Sequence, residues 1–167
     1  VASLKQQGID VQYRIVGTGH LKSNLQNLAK ELQVEKEVTF LGGLTRENIV
    51  HELASAHVLV LPSIEFAGRT ETQGLVVQEA QASGVPVVAS EIGGLPDAIT
   101  HGETGLLFPA GNVDALTECI LTVGRDSDLR SRISRKGRAM VESQYDNNTL
   151  ACSLEQIYRE AMTPNLA

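Results

Sequence analysis

The stretch from Ala56 to Ser90 constrains the fold more than any other part of the chain. It reads A-H-V-L-V-L-P-S, a polar loop I-E-F-A-G-R-T, then E-T-Q-G-L-V-V-Q-E-A-Q-A-S-G, then V-P-V-V-A-S. The apolar run Val58 to Leu61 is short, uncharged and stopped by Pro62-Ser63, the pattern of a parallel strand covered on both faces. Gly74 opens a helix of good formers, Leu75 to Ala82, which ends at Gly84; Pro86 then leads into a second buried strand, Val87 to Ala89. Strand, loop, helix and strand make a βαβ unit, so an α/β fold around a parallel sheet is predicted.

In open α/β sheets, ligands collect at the C-terminal ends of strands and at helix N-termini, where unpaired N–H groups favour anions. Glu71 lies just before the helix and Glu79 about one turn inside it. A carboxylate there repels a bound phosphate unless it is aimed at hydroxyl groups, for which an ionised Glu is a good acceptor. The two can flank one pocket without touching. A phosphate on the helix N-terminus with hydroxylated groups on either side describes a nucleotide sugar.

The rest of the chain continues the alternation. Val11 to Val16 is a strand ending in Gly17-Thr18-Gly19, before a helical pattern from Leu21 to Gln33 with Leu21, Leu25, Leu28 and Leu32 on one stripe. A dinucleotide fingerprint needs a third glycine three positions after Gly19, and Lys22 stands there. Glu37 to Leu41 is a strand stopping at Gly42-Gly43, and Thr45 caps a helix running to Ser55. After Ser90 comes E-I-G-G-L-P-D, with Pro96 at the start of a short helix. His101 to Gly105 turns into a strand, Leu106 to Phe108, and Asn112 or Asp114 begins a helix through Leu121. From Asp126 to Met162 apolar residues recur at helical spacing (Leu129 and Ile133; Leu150, Leu154, Ile157, Tyr158 and Met162), which reads as packing helices.

Composition narrows the function classes. A chain of 167 residues suffices for one domain with a sizeable core. Its net charge of -6 and lack of a basic run argue against nucleic-acid partners and a polybasic membrane patch. No apolar run approaches a membrane span, and the start V-A-S-L-K has no signal-peptide pattern. Cys119 and Cys152 sit in apolar helical segments and read as reduced thiols of a cytosolic protein. His20, His51, His57 and His101 are scattered, with no spacing of a metal site or a triad. The chain lacks an initiating Met and opens on what reads as the tail of a helix, as expected of a piece of something longer.

Glu71, T-Q-G-L-V-V-Q, Glu79 and A-Q-A-S-G-V-P-V-V-A resemble the donor-binding signature of the retaining GT-B glycosyltransferases of family 4, the group 1 glycosyltransferases. The resemblance covers about residues 10 to 160 and includes G-G-L-P-D, with Asp97 where the family usually has Glu, and H-G-E-T-G-L-L. It implies a Rossmann-like parallel sheet flanked by helices, the C-terminal half of a GT-B fold, with a helical C-terminal tail. It further implies a single donor-binding domain over 1–167, with the first strand and the N-terminal acceptor domain absent.

By the same resemblance, Glu71 is the catalytic candidate, facing the donor sugar as nucleophile or as stabiliser of positive charge at the anomeric carbon. Glu79 hydrogen bonds the ribose hydroxyls. Gln73 and Gly74 offer N–H groups to the sugar, and Leu75 and Val76 offer theirs to the diphosphate. Gly17 and Gly19 let backbone approach the phosphates or ribose, a plain tight turn being the alternative. Leu41 backs onto the base through main-chain contacts. Arg69 neutralises phosphate charge or is merely solvated, and the Gly93-Gly94 turn edges the sugar pocket or is a turn alone. Thr72-Gln73 departs from the family's G-F-G or G-L-P, which leaves the sugar open.

The activity implied is transfer of a sugar, of the hexosyltransferase class, from a nucleoside-diphosphate donor to an acceptor hydroxyl. It uses no cofactor and no metal. The partners are the nucleotide sugar and the acceptor domain, and the location is cytoplasmic, with any contact to the inner membrane made through the absent domain. The family's Arg and Lys for the diphosphate precede this chain, so the isolated domain is expected to be inactive. A GT-B type epimerase and a non-catalytic nucleotide-binding module are the alternatives.

Overall fold

The computed structural model describes residues 1–162, which form two compact units, one over Val1–Glu52 and one from Leu53 onward. The first contains α1 (Ala2–Gln6), β1 (Tyr13–Val16), α2 (Lys22–Glu31), β2 (Val38–Gly42) and most of α3 (Arg46–Ala54). β1 and β2 pair in parallel, Tyr13 opposite Val38 and Ile15 opposite Phe40, with an irregularity between Ile15 and Val16. Leu4, Ala29 and Val34 are buried. The leucines that signalled α2 are not: Leu21, Leu25, Leu28 and Leu32 are each 42–51% exposed, and the helix buries only Ala29. Periodicity located this helix but not the face it covers.

The second unit is built on the βαβ segment. β3 (Leu59–Leu61), β4 (Val87–Glu91) and β5 (Leu106–Pro109) form a parallel sheet with β4 in the middle. Leu59 pairs with Val87 and Leu61 with Ala89, while Val88 pairs with Leu106 and Ser90 with Phe108. Val87 to Ser90 are fully buried. β3 is only half-buried, short of the two-sided cover its sequence suggested, because it is the edge strand of this sheet.

α4 (Leu75–Ala82) crosses between β3 and β4, burying Val77, Ala80 and Gln81. Gly84, at φ +72, ends it in the left-handed region, with the Val85 N–H donating to the Ala80 carbonyl. α5 (Leu95–Ala98) follows β4, with a proline in its first turn. α6 (Val113–Arg125) is capped by Asn112, whose Oδ1 accepts from the Ala115 N–H at 3.0 Å, and α7 (Ser127–Gln144) by Asp126, which accepts from the Leu129 N–H at 2.8 Å. Val88, Leu106, Phe108, Val123, Leu129 and Ile133 form one core joining β4, β5, α6 and α7. Burial of each such side chain is worth about 1.5–3 kcal/mol.

α7 closes over α4 because residue 137 is glycine. A Cβ there would stand 3.1 Å from Gln81 Cγ and from the Thr104 carbonyl oxygen. Gln81, 1% exposed, donates from Nε2 to the carbonyls of Ala98 and Thr104, tying α4 to the chain beyond α5. The last helix, α8 (Asn147–Met162), departs from expectation. It buries none of its residues, and Leu150, Leu154, Ile157, Tyr158 and Met162 are 48–81% exposed.

Candidate functional site

The start of α4 gathers most of the predicted residues. Gly74 is its N-cap at φ +56, in the left-handed region, where glycine carries no Cβ penalty. A side chain there would also meet Leu95 Cδ2 at 2.6 Å. The first N–H groups of a helix have no partner within it, and here these belong to Leu75 and Val76. With the aligned peptide dipoles, they make the end of α4 attractive to an anion. Leu75 is exposed and Val76 half-buried, so this end is open.

Glu71 is half-buried in the preceding loop, and its Oε1 accepts from the Gly74 N–H at 3.2 Å. The carboxylate therefore caps the helix end and occupies the N–H expected to serve a sugar. Its other oxygen is not needed for this cap. Glu79, on the fifth residue of α4, is exposed and not enclosed as its apolar neighbours suggested: Val77 and Ala80 turn inward and leave it on the open side. Gln73 is exposed beside Gly74.

Arg69 belongs to an element that the sequence reading missed. Phe66 and Arg69 each donate an N–H to the other's carbonyl at 3.0 Å, closing a two-residue turn through Ala67 (φ +50) and Gly68 (φ +72). Two left-handed residues in succession define a type I′ hairpin turn. Ala-Gly is an inconspicuous pair for it, because Ala rarely adopts this conformation. Arg69 is exposed, and so is Phe66, at 79%.

In the first unit, the turns that follow β1 and β2 adjoin. Gly17, at φ +130, donates its N–H to the Gly42 carbonyl at 2.7 Å, and Thr18 lies against Gly43. A Cβ added at Gly17 or Gly19 would meet none of the described atoms of this unit within 4 Å. Leu41 is half-buried within β2. Among the described residues, no three His, Cys, Asp or Glu side chains cluster as metal ligands, and no helix is long and apolar enough to cross a membrane.

Parallel sheets flanked by helices, with Glu71 at the open start of α4 and Glu79 exposed within it, define an α/β protein of the Rossmann-like class. The model of the family described as "Glycosyl transferases group 1" matches residues 1–140, and the chain belongs to that family. It is 37% identical over 138 residues to a GDP-mannose-dependent monoacylated alpha-(1-6)-phosphatidylinositol monomannoside mannosyltransferase of Corynebacterium glutamicum, covering 81% of this chain and 35% of that protein. Among solved structures, the sucrose-phosphate synthase of Thermosynechococcus elongatus superposes with a TM-score of 0.81 at 28% identity, over 96% of this chain and 41% of that one. The Anabaena HepE protein in complex with UDP gives 0.74 at 26% identity, over 87% and 41%. The chain thus spans well under half the length of these proteins.

Proposed function

We propose that this chain is the donor-binding domain of a longer glycosyltransferase, taking a nucleoside-diphosphate sugar whose sugar passes to an acceptor hydroxyl with retention of anomeric configuration. One observation carries the reading: Glu71 and Glu79 stand at and just inside the open N-terminal end of α4, where two N–H groups lack helical partners. The diphosphate lies on the N–H groups of Leu75 and Val76. Glu79 accepts from the ribose hydroxyls, and Glu71 faces the sugar.

In this reading, loss of the diphosphate is the demanding step, and fixed N–H dipoles aimed at the leaving oxygens lower its barrier electrostatically. The developing positive charge at the anomeric carbon is stabilised by the Glu71 carboxylate. Gln73 and Gly74 border the sugar, while Gly17, Gly19 and Leu41 serve the nucleotide through backbone. Arg69 adds positive charge beside the phosphates. The chemistry as proposed uses no metal or other cofactor. Both units belong to one donor-binding domain, and the acceptor is held by another domain of the longer protein. Its location is cytoplasmic, a reading supported by the free thiols of Cys119 and Cys152.

The test is to incubate the complete protein with UDP-, GDP- and ADP-sugars and a hydroxyl acceptor, and to read the product's anomeric proton by NMR. The reading expects one donor to be consumed with its configuration kept, and turnover to fall by about 100-fold or more in Glu71→Gln. An inverted product, or a Glu71→Gln variant as active as the parent, would overturn it.

A further inference from the structure

The loop carrying Glu71 has one neighbour of an unusual kind. The turn after β4, Gly93-Gly94, lies directly against it, backbone on backbone. The Gly94 N–H donates to the Glu71 carbonyl oxygen at 3.0 Å. A Cβ on Gly93 would overlap that same oxygen and stand 3.1 Å from Thr70 Oγ1, and a Cβ on Gly94 would overlap the carbonyl oxygen of Thr72. Gly93 is also at φ +57, whereas Gly94 has φ -86, which any residue adopts. The glycine at 94 is therefore required by close approach alone.

The turn is in turn fixed to the sheet. Its chain runs straight from the fully buried Ser90, whose hydroxyl donates to the Leu61 carbonyl at 3.4 Å, and the Ile92 N–H donates back to the Ser90 carbonyl. Leu95, just after it, is fully buried against Gly74. Glu71 is thus gripped at two points, its carbonyl by Gly94 and its carboxylate by Gly74, and both grips lead back to Ser90 and Leu95.

From this we infer that Gly93 and Gly94 are positioning residues for Glu71, setting where its carboxylate meets the donor sugar without touching the donor themselves. The inference rests on the proposed donor site. It separates two functions of that site: the nucleotide is held by α4 and Glu79, while the sugar depends on the glycine turn through Glu71. Displacing the loop costs sugar chemistry and spares nucleotide binding.

Two variants of the complete protein test this. Gly94→Ala pushes on the Thr72 carbonyl, and replacing the Gly94 amide by an ester, through semisynthesis, removes only the N–H to Glu71. Each is measured for nucleoside-diphosphate affinity by calorimetry, for kcat and KM with the sugar donor, and again in a Glu71→Gln background. A misplacement of about 1 Å lowers kcat by up to ~100-fold. Nucleotide affinity should stay within about threefold, and the effect on kcat should vanish once Glu71 is Gln, because the two changes act on one group.

Loss of nucleotide affinity in step with kcat, or an undiminished effect in the Glu71→Gln background, would overturn the inference. Should Gly94→Ala fail to fold, the ester variant decides, and an ester with the parent's kcat sinks the idea. A parent protein that binds no nucleoside diphosphate would refute the donor site itself, a result distinguishable from all of these.

Discussion

Two glycine turns look alike in the sequence and differ in what surrounds them. Gly17-Thr18-Gly19 follows β1 beside the turn after β2, and within its own unit an added Cβ at either glycine would meet none of the described atoms within 4 Å. Gly93-Gly94 follows β4 and is packed against the backbone of the Glu71 loop. The first turn needs glycine at 17 for its dihedral angle, and none of the described residues of its own unit requires one at 19. The second needs it for dihedral angle at 93 and for contact at both positions. A glycine pair after a strand therefore says that the chain turns; only the packing says whether the turn holds something in place.

Alanine substitution grades this difference. Gly93→Ala combines a strained left-handed residue with overpacking and should cost about 4 kcal/mol of stability, the largest effect. Gly17→Ala, with strain alone, and Gly94→Ala, with overpacking alone, should each cost about 2 kcal/mol. Gly19→Ala should stay within about 0.5 kcal/mol. Denaturant midpoints of the four variants check the order. Equal losses at positions 19 and 94 would erase the distinction between the turns.

A smaller effect belongs to the first unit and depends on pH. Lys5 Nζ lies 2.7 Å from Glu37 Oε1, and this hydrogen bond holds the Glu37 carboxyl below its ordinary value of 4.5. A carboxyl depressed in the folded state contributes stability that is complete above its unfolded value and lost as pH falls through the folded one. Melting temperature should therefore decline below about pH 4.5, and Glu37→Gln should flatten part of that decline. A pH profile unaltered by the substitution would remove Lys5–Glu37 from the account.

Much of this architecture was legible in the sequence because its signals are local. Val58 to Leu61 bounded by Pro62, the helix ended by Gly84 and the strand after Pro86 lie within two residues of where the structure has them. Of the two starts the sequence offers for α6, Asn112 and Asp114, the structure has Asn112 as the cap. What escaped depends on segments far apart in sequence. The leucine stripe of α2 and the apolar residues of α8 do lie in helices, yet both stripes are exposed. Glu79 stands between the apolar Val77 and Ala80 yet is exposed, because helix rotation is set by Gly137 and Gln81 packing across more than fifty residues. The grip of Gly94 on Glu71 joins residues 23 positions apart, and no local pattern announces it.

The most direct test of the donor site is calorimetric titration of the complete protein with UDP, GDP and ADP, repeated with Glu79→Ala. Ribose contact is the claim least dependent on which sugar or acceptor is used. The account predicts saturable binding of one of the three, weakened in the variant by about 1.5–3 kcal/mol through loss of a charged hydrogen bond. A folded protein that binds none of them, or one whose affinity is unchanged by Glu79→Ala, would contradict it.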